Sequence, residues 1–278
     1  MLGNLCANED NLKAIYDAGG VPVLVSFPFP PSSIDSTNAQ FQSIAGLRGL
    51  SMDAKLRNIL VDEGCLEPLV LAASDHNSIV DIEVKREAVS VMCNLALSLE
   101  NKAIMAQSGV TPTLVSMVNS NDSISQVFAI GTLANLAERG GSIQARLLED
   151  GCLAPLIRVI EASGVVVEVK REICRALALF AGHISSHNKL MNKQVLGCLI
   201  RLMGKDEDCF CQRFGSLSIA NLALSPSNHR RLIDIGVLNS LINMAHSADN
   251  ETRRCVAFAF HNISVNEDNH QMCEKMER

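Results

Sequence analysis

Gly109-Val-Thr-Pro-Thr-Leu-Val115 is one of six similar phrases that recur along the chain. Successive copies begin 45, 45, 42, 43 and 42 residues apart. A fixed period of this length is typical of a helical solenoid, in which each repeat packs only against its neighbours. We therefore expect one continuous core rather than separate globular domains. The other copies begin at Gly19, Gly64, Gly151, Gln194 and Gly236.

A second phrase, such as Leu133-Ala-Asn-Leu136, lies upstream of each glycine phrase. Its third position falls at residues 4, 49, 94, 135, 179, 221 and 262, so it repeats with nearly the same period. The segments between the phrases predict three helices per repeat. In one repeat, a short helix over 101–107 ends at Gly109, and a second helix has Pro112 in its first turn. A longer third helix follows from about 123 to 137.

Three helices per repeat, with a glycine between the first and the second, resemble the armadillo repeat family over essentially the whole chain. The resemblance implies an all-α fold: a right-handed superhelical solenoid of about six complete repeats with partial repeats at both ends. Because solenoids usually carry polar capping repeats and neither end resembles one, we expect a slice of a longer array or a truncated gene product. We assign 1–278 to a single array, with repeats at 8–52, 53–97, 98–138, 139–182, 183–224 and 225–265 and partial repeats at 1–7 and 266–278.

The composition limits the possible classes of protein. Apolar residues make up 47% of the chain and aromatic residues only 4%, so we expect an aliphatic core. A net charge of −6 gives no general attraction to nucleic acid. The ten cysteines lie mainly at apolar positions, which indicates free thiols and a cytoplasmic location. No apolar run approaches the roughly 18 residues that would span a bilayer, so we expect no membrane insertion.

Asparagine recurs at the third position of the second phrase, although it is unfavourable inside a helix. The family resemblance implies that this residue lies on the concave face and pairs with the backbone of an extended peptide. The alternative is that these amides cap neighbouring helices within the solenoid. Gly49 and Leu179 interrupt the series. We predict a peptide-binding groove at Asn94, Asn135, Asn221 and Asn262, with Asn4 in the equivalent place near the start.

Arginine recurs eight residues before the asparagine position, two helical turns back on the same face. A positive strip there would suit acidic or phosphorylated segments of a partner. The alternative is an internal ion pair with a glutamate three residues earlier, present for three of the four arginines. Arg213 has Phe210 at that spacing, so we expect it to be the least explained by an internal pair. The four arginines are Arg86, Arg171, Arg213 and Arg254.

The chain departs from one branch of the family. Armadillo proteins that carry nuclear-import signals have tryptophan four residues before the asparagine, and this chain contains no tryptophan. The resemblance is therefore to scaffold-type members, catenin-like or vacuolar-inheritance-type. The positions in question hold Ala45, Ser90, Gly131, Arg175, Leu217 and Phe258.

The sequence contains no motif that indicates catalysis or a cofactor. Phosphate loops, nucleophile elbows and His-Glu-x-x-His helices are missing. His183, His187, Cys209 and Cys211 are zinc-ligand types, but the usual Cys-x-x-Cys pair is absent and we expect no metal. We therefore expect a non-enzymatic scaffold that binds a protein or peptide in its groove. The alternatives are a structural spacer, or a regulatory part appended to a larger protein.

Overall fold

The computed structural model describes residues 5, 6, 8–26, 34–74, 81–138, 141–266 and 269. They form α-helices and one short 3₁₀ turn, Ile184–Ser186, with no strand among them. Asn4 lies outside the described residues. The helices, in chain order, are α1 Glu9–Asp17, α2 Gly20–Val25, α3 Ile34–Met52, α4 Arg57–Asp62, α5 Leu66–Ala73, α6 Ile82–Leu95, α7 Leu99–Gln107, α8 Val110–Val118, α9 Ser123–Ala137, α10 Gly141–Glu149, α11 Leu153–Glu161, α12 Val167–Ala181, α13 His187–Leu190, α14 Lys193–Leu202, α15 Cys209–Leu222, α16 Pro226–Asp234, α17 Val237–Ala245 and α18 Asn250–Ser264.

The predicted three-helix repeat is confirmed. Every third helix in this numbering, from α3 to α18, is the longer helix that carries the Asn-Leu phrase. Gly109 separates α7 from α8 with φ of 73°, a left-handed conformation that favours glycine. The repeat 183–224, whose phrase begins at Gln194, lacks this glycine. Its first helix, α13, is only four residues long, and Asn192 starts α14 by accepting a hydrogen bond from Val195 N at 2.9 Å.

The core is aliphatic, as the composition predicts. Leu114 on a second helix and Ile130 on a third helix are fully buried, and the one large aromatic side chain among the most buried residues is Phe180. Replacing such a leucine with alanine costs about 2–5 kcal/mol of stability. Because these side chains are small or branched, the helices can approach closely, and aliphatic rather than aromatic side chains fill the core between them.

The chain divides into two compact units. The first unit consists of Met1–Leu136 and Asp150–Cys152, and the second of Ala137–Glu149 and Leu153–Arg278. In the first unit, α3 packs against α6. In the second unit, α12 packs against α15 and α15 against α18. Third helices are therefore neighbours within each unit. Among the described residues, none of the helices is both long and apolar enough to span a membrane.

Candidate functional site

The asparagines of the Asn-Leu phrase lie near the ends of the third helices and are half-buried or, at Asn135, buried. Each donates from Nδ2 to the preceding third helix of its own unit. In the first unit, Asn135 Nδ2 lies 3.2 Å from Cys93 O, and Asn94 Nδ2 lies 2.9 Å from Ser51 Oγ. In the second unit, Asn221 donates to Ala178 O at 3.2 Å and Asn262 to Ala220 O at 3.0 Å.

These bonds use only part of each amide. An asparagine amide has two N–H donors and one oxygen acceptor with two lone pairs. Within the described part of the chain, Oδ1 of Asn221 and Oδ1 of Asn262 accept no hydrogen bond. The same side chain therefore joins two repeats and presents an acceptor at the surface. The asparagines can therefore join neighbouring repeats and also bind a peptide backbone, so the two alternatives from the sequence are physically compatible.

The two interruptions of the asparagine series have different causes. At Gly49, a Cβ atom would lie 2.2 Å from the carbonyl oxygen of Cys6, so no side chain fits unless the backbone moves. Leu179 lies on the half-buried face of α12, where it forms part of a pocket. The first interruption is thus a close backbone approach, and the second is an apolar surface.

Three of the four candidate arginines form bidentate ion pairs, each with an aspartate that precedes the next third helix. In the pair of the second unit formed by Arg171 and Asp208, Nε lies 3.0 Å from Oδ1 and Nη2 lies 2.7 Å from Oδ2. This fork geometry matches the planar guanidinium to the carboxylate. Arg213 with Asp249, and Arg86 with Asp122, have the same arrangement.

Each aspartate also caps the helix that it precedes. Asp208 accepts a hydrogen bond from Phe210 N at 3.0 Å, and Asp249 accepts one from Thr252 N at 2.9 Å. Hydrogen bonds from the arginines hold the pKa of Asp122, Asp208 and Asp249 below the usual aspartate range. The carboxylates therefore remain ionised and compensate the arginine charges.

These pairs change the interpretation of the arginine series. The expectation that Arg213 would be the least explained by an internal pair is wrong, because its partner Asp249 lies 36 residues downstream in the next repeat. Arg86 also contacts Glu83, as the spacing predicts. Arg254 differs from the other three: it pairs with Glu251 on its own helix, with Nη1 2.9 Å from Oε1, and its side chain is 78% exposed.

A pocket of about 450 Å³ opens beside Asn221 in the second unit. Ala178 and Leu179 of α12 and Phe214 and Leu217 of α15 supply apolar side chains, whereas Glu138, Gln144, His183 and Asn221 supply polar groups. A concave apolar surface with a few polar groups is the usual form of a ligand site. We call it the Asn221 pocket; its lining residues are Ala137, Glu138, Gly141, Gln144, Ala178, Leu179, Gly182, His183, Phe214, Leu217 and Asn221.

Sequence reasoning missed a second recurring polar position. Near the start of several first helices, a buried polar side chain donates to a carbonyl six or seven residues earlier, at the end of the preceding third helix. Gln144 Nε2 lies 2.5 Å from Ala137 O, and Asn228 Nδ2 lies 2.8 Å from Leu222 O. The signal was present as a polar residue at near-constant spacing. We call these residues the buried polar ladder: Asn101 in the first unit, and Gln144, His187, Asn228 and Asn269 in the second.

His187 and Cys211, two of the four candidate zinc ligands, have protein partners. Both ring nitrogens of His187 lie within hydrogen-bonding distance of protein atoms. Cys211 is buried and interacts with Cys174; this hydrogen bond and burial raise the pKa of the Cys174 thiol. Among the described residues, no group of three or more His, Cys, Asp or Glu side chains could hold a metal ion.

Comparison with known proteins places this geometry in a family. No family model matches the chain. Vacuolar protein 8 of Saccharomyces cerevisiae is 30% identical over 208 residues, which cover 70% of this chain and 33% of that protein. The chain thus spans about a third of the length of this relative.

Solved structures agree with the sequence comparison. An engineered protein superimposes with a TM-score of 0.84 and 27% identity, over 95% of this chain and 62% of that chain. A designed armadillo repeat protein in complex with the peptide (KR)4 has a TM-score of 0.77 and 22% identity, over 87% of this chain and 99% of that chain. The recurring phrases, the three-helix repeats and these similarities lead to one conclusion: the chain belongs to the armadillo-repeat family.

Proposed function

We propose that this chain is a non-enzymatic protein-interaction scaffold that binds an extended segment of a partner protein along the exposed face of its third helices. The Asn221 pocket is the observation that carries the proposal, because it combines apolar walls with an amide able to bind a peptide backbone. The designed armadillo repeat protein that binds (KR)4 supports peptide binding by this fold.

The spacing of the asparagines suits an extended chain. Such a chain rises about 3.3 Å per residue, and packed helices lie about 8–10 Å apart. One asparagine per repeat would therefore meet about every third residue of the segment. In the second unit, the Oδ1 atoms of Asn221 and Asn262 would accept hydrogen bonds from its backbone N–H groups.

The chemistry of the segment follows from the charges on this face. Arg171 and Arg213 are compensated by Asp208 and Asp249, so they offer little net charge to a ligand. Arg254 is the most exposed of the candidate arginines, and an acidic or phosphorylated residue would compete with Glu251 for it. We propose that an apolar side chain of the segment enters the Asn221 pocket, and that charge contributes mainly near Arg254.

A cellular interior fits this proposal. The nine cysteines of the described residues are all free thiols. Free buried thiols persist in a reducing compartment. We therefore propose a cytoplasmic location, where the scaffold would meet its partner.

A spacer function is the second candidate, and a specific observation favours it. The amide donors of Asn221 and Asn262, and the guanidinium groups of Arg171 and Arg213, all join neighbouring repeats. A solenoid that served only to hold other parts apart would need these bonds and no ligand. The two candidates differ in whether the Asn221 pocket matters for binding.

Peptide selection followed by substitution separates the two. Peptides selected from a random library against the intact chain would be measured by fluorescence anisotropy with the original protein, Leu217→Gln and Ile242→Gln. Leu217 lines the pocket, whereas Ile242 is an exposed apolar residue on the second helix α17 and serves as the matched control. We expect at least tenfold weaker binding for Leu217→Gln alone, with unchanged thermal unfolding. No selectable binder, or equal loss in both variants, would favour the spacer.

A further inference from the structure

His187 occupies a position of the buried polar ladder that holds an amide in neighbouring repeats. Gln144 and Asn228 stand at the equivalent places before and after it in the second unit. All three donate to the end of the preceding third helix. His187 does so from Nε2, which lies 3.0 Å from Ala181 O. Unlike an amide, an imidazole gains a charge near neutral pH.

The partners of His187 determine its protonation state. Asn228 Nδ2 lies 3.1 Å from Nδ1, and an amide nitrogen can only donate, so Nδ1 must accept. Nε2 faces a carbonyl oxygen and must carry the proton. The ring is therefore neutral, with its hydrogen on Nε2. Ser225 Oγ also lies 2.9 Å from Nδ1.

Protonation of Nδ1 would disrupt the contact between two repeats. Asn228 Nδ2 has two hydrogens, one directed to Leu222 O and the other to His187 Nδ1. A protonated Nδ1 would face the second hydrogen, leaving a buried donor without an acceptor. The Ser225 hydroxyl could turn to accept the new proton, but it would not restore the bond of Asn228. A buried donor without a partner destabilises the folded state.

The surroundings of the ring do not compensate a positive charge. His187 is 3% exposed, and burial lowers the pKa of its imidazole. His183, on the adjoining turn, disfavours the charge further. A second imidazole, His229 on α16, is also buried and has the same arrangement, with Nε2 2.7 Å from Ala223 O and Nδ1 2.9 Å from Asn269 Nδ2. The charged residues on α13, the helix of His187, and on the neighbouring helices α10 and α16 have exposed positions: Lys189, Arg146, Glu149, Arg230, Arg231 and Asp234.

We propose that His187 forms a pH-sensitive contact between two successive repeats. The contact is present while the ring is neutral and breaks when Nδ1 takes up a proton. Ala181, which His187 holds, adjoins Gly182 at the end of α12, and α12 forms one wall of the Asn221 pocket. Breaking the contact would loosen that wall. The relevance of this loosening to partner binding rests on the proposed function, whereas the pH-sensitive contact of His187 does not.

The direction of the pH effect follows from linkage. The unfolded chain has an ordinary histidine pKa of about 6.5, and the folded value is lower. The unfolded state therefore binds more protons at mildly acidic pH. The contribution of His187 to stability is fully present above pH 6.5 and falls as the pH decreases below it.

Two measurements test the pH-sensitive contact of His187 without any ligand. NMR titration of the histidine ring signals should show that His187 takes up its proton below about pH 6.5, the ordinary histidine pKa. His246, which is exposed, is the control position for substitution. Urea unfolding of the whole chain at pH 7.5 and pH 5.5 should show a lower midpoint at the acidic pH. His187→Asn, which copies the amide of the neighbouring repeats, should lose part of this decrease, and His246→Asn should retain it in full.

Each outcome decides the question. A His187 signal that titrates at or above about pH 6.5 would overturn the proposal, even if His187→Asn failed to fold. A full pH 5.5 decrease in a folded His187→Asn protein would also overturn it. Failure of peptide binding would contradict the proposed function and leave this result unchanged, because neither measurement uses a peptide.

Discussion

At the scale of single residues, the aspartates that precede the third helices have two tasks each. Asp249 caps α18 through Thr252 N and also holds Arg213 of the preceding third helix. The sequence predicted the arginines but not these partners, because an ion pair across 36 residues appears only when helices stack. Spacing within one helix suggests i, i+3 pairs, and Glu251 with Arg254 is such a pair. Residue spacing therefore predicted local pairs and missed those between repeats.

The two tasks of Asp249 can be separated by substitution. Asp249→Asn keeps a side-chain oxygen for Thr252 N but removes the charge that pairs with Arg213, whereas Asp249→Ala removes both. We expect Asp249→Ala to lose about 1 kcal/mol more stability than Asp249→Asn, since that is the typical contribution of an N-cap. Urea unfolding in low and high salt would measure both differences. Equal stability of the two variants would show that the cap contributes nothing.

At the scale of elements, helix boundaries were largely predictable because each repeat contains the same signals. The sequence predicted a third helix from about 123 to 137, and α9 is Ser123–Ala137. Gly109 marks the boundary between α7 and α8, and Gly64, Gly151 and Gly236 also have positive φ. The repeat without this glycine was less predictable: a 3₁₀ turn and the short α13 replace one regular first helix. The boundary there depends on Asn192 rather than on backbone freedom.

Alanine substitutions at Gly109 and Gly197 should change the stability of the chain in opposite directions. Gly109 has φ of 73° and empty space where a Cβ would be, so Gly109→Ala should destabilise the chain by about 1–2 kcal/mol through backbone strain alone. Gly197 lies inside α14 with the same empty space, and Gly197→Ala should stabilise it by about 0.5–1 kcal/mol. Thermal unfolding would measure both. The same sign for the two substitutions would contradict the argument.

At the scale of the whole molecule, the period of the two phrases predicted the family and the all-α class. It also aligned Asn94 with Asn135 and Asn221 with Asn262 on the third helices. The Asn221 pocket could not be predicted, because it depends on how α12 and α15 pack, which no single repeat specifies. The buried polar ladder was missed for a related reason: its members differ chemically, so amide, imidazole and amide do not form an obvious motif.

We propose that a partner segment lies along the third helices, and NMR shift mapping would detect it there. A selected peptide would be titrated into ¹⁵N-labelled protein while the side-chain amide signals of Asn221 and Asn262 are followed. We predict that both signals shift as binding saturates, together with backbone signals around Leu179 and Leu217. Shifts confined to the second helices α14 and α17, with both asparagine signals unchanged, would contradict binding along the third helices.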